Sequence, residues 1–207
     1  PSYAGLLFEK EISMLDKVLK HPRKPFIVIL GGAKASDKIG VVKKLLGSAD
    51  AILLGGVPAN TFLKAKGADI GKSVFEPAMV AAARALLKSS KIILPFDFIS
   101  ANGRIFDIGP LTAESFTQKI RKAKMILWNG PLGFFEDPRF LNGSAAIARA
   151  IVKSKAFSLI GGGETTELVN RLGLVRKFSF VSTGGGAMLQ YLAGEKLPGI
   201  QVLEKSN

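Results

Sequence analysis

The sequence contains no cysteine and a single histidine, His21. The first absence removes disulfides, thiolate nucleophiles and cysteine-held metals together, and is compatible with the cytosol. The second leaves almost no material for a zinc site or a Ser-His-Asp triad, and His21 itself sits in a turn-like HPRKP. Long apolar runs are missing too. Nothing approaches the ~18 residues of a membrane span, and the most apolar helical stretch, AMVAAARALL, is broken by Arg84. The opening residues PSYAGLLFEKE lack the basic head and apolar run of a secretion signal. They also lack an initiating Met, which suggests a processed chain or a piece of a longer one.

Acidic residues are scarce beside basic ones: 16 Asp+Glu face 29 Lys+Arg, a formal charge of +13. Such a balance draws in anions, whether nucleotides, phosphorylated metabolites or nucleic acid. Much of it lies at helical spacing (Lys17, Lys20, Lys43, Lys44, Lys119, Arg121, Lys122), where a solvated helix face is the ordinary reading. Aromatics do not alternate with these basic residues as a stacking platform would require, so no nucleic-acid partner is expected. What is present is a globular composition: 47% hydrophobic over 207 residues, enough for a real core in one large domain or two small ones.

Residues 67–73, GADIGKS, end as a phosphate-binding P-loop ends. A P-loop needs two glycines bracketing four residues ahead of Lys-Ser/Thr, so that successive N–H groups wrap the phosphates. Counting back from Gly71, the first glycine falls on Lys66, and FLKAK ahead of it reads as the end of a helix. The stretch is a decoy in a connection.

A second pattern runs along the whole chain. FIVIL, AILL, KIILP, KMILW, FSLI and FSFV are short continuous apolar runs, as expected of strands buried on both faces. Between them, segments of helical period cover 35–46, 57–66, 76–89, 112–122, 142–153, 164–172 and 185–193. This alternation predicts an α/β fold with an open, mainly parallel six-stranded sheet and helices on both faces. The whole of 1–207 reads as one domain, with 1–20 a leading helix that connects to something upstream. Right-handed crossovers place every glycine-bearing turn at the carboxyl edge of the sheet, where open α/β sheets bind ligands.

Glycine at one strand end needs only a tight turn or close packing as its explanation. Five such turns go further, because glycine also lets backbone N–H groups approach a phosphate. None fits G-x-G-x-x-G, so a dinucleotide fingerprint is absent. In GGAKASDKIG, Lys34 and Lys38 are either two solvated lysines or, if the helix begins early, one cationic face meeting an anion. GGGETTELV puts Gly163, Glu164 and Thr165 at a helix start, where free N–H groups favour phosphate. Glu164 is either a dipole-complementing carboxylate or a Mg²⁺ ligand beside nucleotide phosphates. STGGGA repeats the device at Gly184, Gly185 and Gly186. In WNGPLGFFEDP, Asn129 lies at a strand end, and Glu136 is either a loop carboxylate or an acceptor for ribose hydroxyls.

GLLFEKE, ILGGAKASDKI, LLGGVPANTFL, DIGP, WNGPLGFFE, IGGGETT and FVSTGGGAMLQYLAGEKLPG occur in order from residue 5 to residue 199. Together they resemble the C-terminal, Rossmann-like half of phosphoglycerate kinase. The resemblance implies a nucleotide-binding domain using Mg²⁺ and ATP/ADP, within a cytoplasmic, monomeric glycolytic enzyme that exchanges phosphoryl groups between 1,3-bisphosphoglycerate and ADP. It implies that Lys34 follows the transferring group while Lys38 holds the nucleotide phosphates. Gly31, Gly32, Ala33, Gly55 and Gly56 line the adenine side, closed by Pro131 and Phe134. Asn129 contacts phosphate, Glu136 the ribose, and Gly163, Glu164 and Thr165 the metal and β-phosphate. Gly184–Gly186 face the group in flight.

The chain departs from that family's pattern in four places. Glu164 stands where the family has Asp, Val57-Pro58 stands for Gly-Met, and the stretch from Phe96 to Gly109 is short. The N-terminal domain that grips phosphoglycerate is not in this sequence, so nucleotide binding with negligible turnover is expected. The alternative is a non-catalytic nucleotide- or anion-binding module.

Overall fold

The computed structural model describes residues 3–205. The outermost residues of the expected 1–207 domain, 1–2 and 206–207, lie outside it. Six strands form one sheet in the order β3-β2-β1-β6-β7-β8, and every pairing in it is parallel. They are β1 (Phe26–Leu30), β2 (Ala51–Leu54), β3 (Ile92–Ile93), β6 (Met125–Asn129), β7 (Phe157–Gly161) and β8 (Phe180–Ser182). The apolar runs become strands because both of their faces are covered. Phe26, Val28 and Leu30 enter one core with Val41, Phe62 and Leu192, while Ile27 and Ile29 enter the other with Phe116, Trp128 and Ile147. Helices α1 (Leu6–Lys20), α2 (Ser36–Leu45), α3 (Gly56–Lys66), α4 (Val80–Leu86) and α8 (Gly185–Ala193) serve the first core. The second core is covered by α5 (Pro110–Arg121), α6 (Asn142–Ser154) and α7 (Gly163–Arg171).

Three stretches differ from the sequence expectation. KIILP contributes only Ile92–Ile93 to the sheet, since Pro95 has no N–H to donate to a ladder. FDFIS does not lead into a helix. It forms an antiparallel hairpin of its own, β4 (Phe98–Ala101) with β5 (Arg104–Ile108), turning on Asn102 and Gly103 with φ of 50° and 75°. Asn-Gly is the standard residue pair for such a turn, so this hairpin was readable from the sequence. A final helix, α9 (Pro198–Lys205), was also not anticipated.

The hairpin explains GADIGKS. Lys72 N–H donates to the Gly103 carbonyl at 2.7 Å, and the Ser73 hydroxyl accepts from Ile105 N–H at 2.8 Å while donating to the Ile70 carbonyl. The residues that mimic a P-loop are spent anchoring the hairpin turn.

The far end of the hairpin is tied down by Asp107, only 1% exposed. Its carboxylate accepts from Ile108 N–H at 2.9 Å and from Gly143 N–H, in the first turn of α6, at 2.7 Å. Burial outweighs these two donors and pushes the carboxyl up to about 7 from an ordinary value of 3.8. Between those two values the unfolded chain has released a proton that the folded chain keeps. Stability therefore falls as pH rises through that window and levels off above it. In urea denaturation, the wild type should lose roughly 2 kcal/mol between about pH 5 and pH 8 through this group. Asp107→Asn should remove that share, and parallel curves for the two proteins would refute the assignment.

Candidate functional site at the carboxyl edge of the sheet

The chain winds outward from β1 to β2 and β3, then crosses back to β6 on the other side of β1. The switch point of this sheet therefore lies between β1 and β6, where a crevice opens beyond the strand ends. Backbone fills its base. Gly31 N–H donates to the Asn129 carbonyl at 3.0 Å, and Gly32 N–H to the Pro131 carbonyl at 2.8 Å. The β2 turn joins in, with Gly56 N–H donating to Leu132 and Val57 N–H to Gly32, both at 3.0 Å. A Cβ on Gly31 would collide with the Pro131 carbonyl, and one on Gly130, whose φ is +88°, with the Gly31 carbonyl. Here glycine serves backbone contact. At Gly163 and Gly186 a Cβ would meet nothing within 4 Å, so those turns are open to a ligand.

Three side chains stitch the strand ends together. Lys38, 7% exposed, donates from Nζ to Asn129 Oδ1 at 2.5 Å. Asn129 Nδ2 donates to the Gly161 carbonyl at 2.8 Å, and the buried Thr165 hydroxyl accepts from Gly130 N–H at 2.7 Å. Burial pulls the Lys38 ammonium below its ordinary value, opposed by Asp37 and Glu164. Its hydrogen-bond partner is a neutral amide.

Above the crevice lies a cavity of about 190 Å³. Of the residues named from the sequence, it brings together Gly32, Ala33, Gly56, Pro131, Phe134, Glu136 and Glu164. Gly31 and Gly55 lie buried beneath it. Lys34, Lys38, Asn129, Gly163, Thr165 and Gly184–Gly186 do not line it; they belong to the adjoining strand ends and helix starts. One wall is the β4–β5 hairpin, through Phe98, Ile105 and Phe106. Glu164 is pushed up by burial and by the Glu136 carboxylate, against a downward pull from Lys38.

Two carboxylates that organise this edge escaped sequence reading, because each acts far along the chain. Helix α2 starts at Ser36, so Lys34 precedes it and shares no helical face with Lys38. Its first amides are satisfied from outside: Glu76 accepts from Ala35 N–H at 2.6 Å and Ser36 N–H at 3.1 Å. Glu11 of α1, 8% exposed, accepts from Ser182 Oγ at 2.8 Å and Thr183 N–H at 2.6 Å. It fixes the turn that leads to Gly184–Gly186.

Comparison with known proteins now decides the family. The phosphoglycerate kinase family pattern matches residues 1–195. The chain belongs to the phosphoglycerate kinase family. It is 44% identical to the phosphoglycerate kinase of Thermus thermophilus, over 99% of this chain and 59% of that protein. Identity to the Dictyoglomus turgidum enzyme is also 44%, over 99% of this chain and 58% of the relative. The crystal structure of phosphoglycerate kinase from Pyrococcus horikoshii superposes with a TM-score of 0.86 at 37% identity, covering 97% of this chain and 56% of that one. The Coxiella burnetii structure gives 0.92 at 36% identity, covering 98% and 58%. The chain thus spans under three fifths of the length of these relatives.

The two kinds of glycine are separable by stability. Gly31→Ala forces backbone apart and should cost about 1–3 kcal/mol in a denaturation curve. Gly163→Ala should stay within about 0.5 kcal/mol of wild type, and equal losses would contradict the assignment.

Proposed function

We propose that this chain is the Mg·ATP/ADP-binding part of phosphoglycerate kinase, supplying half of the site that moves a phosphoryl group between 1,3-bisphosphoglycerate and ADP. The observation that carries this reading is Lys38. A buried ammonium bonded to a neutral amide oxygen, beside helix starts that no side chain caps, calls for an anion. Nucleotide phosphates supply one. The base enters the cavity between Gly32, Gly56, Pro131 and Phe134, and Glu136 takes the ribose hydroxyls. Thr165 and the start of α7 take the β-phosphate, with Asn129 holding Lys38 in place.

In transfer toward ADP, the bond between phosphorus and the acyl oxygen breaks as a β-phosphate oxygen of ADP bonds to the same phosphorus. The chain contributes positioning and positive charge for that step. Lys34, exposed ahead of α2, follows the moving group, and the amides around Gly184–Gly186 face it. Among the described residues no cluster of three or more His, Cys, Asp or Glu could hold a metal. A hard cation held by one carboxylate and the nucleotide needs none. Glu164 fits that role: it lines the cavity and is crowded by Glu136, a repulsion that a cation relieves. Mg²⁺, when bound there, neutralises phosphate charge.

The same reading makes the protein a cytoplasmic monomer with no nucleic-acid partner; among the described residues no helix is long and apolar enough to cross a membrane. Phosphoglycerate binding and turnover require a second domain that closes over both substrates. The alternative reading is a non-catalytic nucleotide- or anion-binding module.

Calorimetric titration with ADP should show saturable binding that Mg²⁺ strengthens, and no binding at millimolar ADP would overturn the proposal. Steady-state turnover by this chain alone should be negligible. Adding a separate phosphoglycerate-binding domain should restore it, whereas continued inactivity in a mixture that binds both substrates would favour the module.

A further inference from the structure

Asn60, in α3, is 6% exposed and borders the cavity. Its Nδ2 donates to the Val74 carbonyl at 3.0 Å, which fixes the orientation of the carboxamide. Oδ1 accepts from nothing among the described residues. Yet none of their buried side-chain oxygens or nitrogens is both unpartnered and sealed from solvent. The oxygen therefore faces open space, and the cavity is the open space that Asn60 borders. Asp107, the other deeply buried polar residue of the lining, has each oxygen engaged by a backbone amide. Around them the wall is apolar: Val57, Val74, Pro95, Phe98, Ile105 and Phe106.

We propose that the Asn60 carboxamide oxygen is a specificity-determining acceptor that selects a 6-aminopurine over a 6-oxopurine. This rests on the nucleotide-binding reading above and adds the choice of base to it. Adenine presents an N6 amino donor where a 6-oxopurine presents a carbonyl. An acceptor in an apolar wall gains a hydrogen bond from the first, and is left facing a lone pair by the second. A site built to hydrogen-bond a substrate N–H rejects the analogue that lacks it.

The test is calorimetric titration of the wild type and Asn60→Leu with ADP, IDP and inorganic pyrophosphate. The wild type should prefer ADP over IDP by about tenfold. In Asn60→Leu the preference should shrink to below about threefold, with pyrophosphate affinity unchanged because the phosphate turns are intact. A purine-riboside diphosphate with hydrogen at the 6-position, titrated against wild type alone, should fall between the two. That arm is independent of whether the variant folds. Equal affinity of wild type for ADP and IDP, or an undiminished preference in Asn60→Leu, overturns the role of Asn60 while leaving nucleotide binding intact. Failure of every diphosphate to bind overturns the nucleotide reading and this assignment together.

Discussion

Everything at this edge depends on how closely β1 and β6 run past their own ends. Parallel strands diverge into separate crossovers once they leave the sheet, and the crevice between them is ordinarily lined by side chains. Here the backbones stay in contact for two residues longer, through the hydrogen bonds of Gly31 and Gly32 to Asn129 and Pro131. The turn after β2 is then laid on the same seam through Gly56 and Leu132. Three turns become one rigid platform with little side-chain bulk above it. A cavity can sit directly on backbone only because the residues beneath it lack a Cβ.

Helix starts around the platform divide by how their free amides are met. An isolated helix N-terminus attracts an anion wherever it finds one, and the fold itself can provide it. For α2 it does, since Glu76 reaches in from more than thirty residues away and occupies that position. Among the described residues no carboxylate does the same for α7 or α8, where Glu11 reaches only Ser182 and Thr183 ahead of the helix. Free amides therefore leave partial positive charge at the starts of α7 and α8, whereas much of the formal charge of +13 lies on lysines and arginines at helical spacing.

The sheet was legible because its strands are buried on both faces, which leaves continuous apolar runs with little competing explanation. FIVIL, AILL, KMILW, FSLI and FSFV all lie at or within a residue or two of observed strands. KIILP was over-read because hydrophobicity alone does not register the missing donor at Pro95. Of the site, the turn residues were visible as a class, yet their division was not. Gly31 and Gly163 look identical in a sequence, and only the position of the Pro131 carbonyl separates them. Glu11, Glu76 and Asn60 carry no local signature. Their roles arise from partners 172, 41 and 14 positions away.

The two most buried ionisable groups of the cavity region show where the fold bears its electrostatic cost. Lys38 is drawn down by burial, against Asp37 and Glu164, and Asp107 is pushed up by it; each is hydrogen-bonded to neutral amides and to no ion-pair partner. Elsewhere the ion pairs are exposed, as at Lys20–Asp16 and Arg171–Glu167, where solvent makes them cheap and weak. An apolar side chain at either position would leave buried partners unsatisfied, Asn129 Oδ1 in one case and the Ile108 and Gly143 N–H groups in the other. The retention of both groups at one edge of the sheet fits a site that is completed from outside. An anion beside Lys38 would offset the burial that draws it down, whereas Asp107, bordering the cavity, ties the hairpin wall to α6.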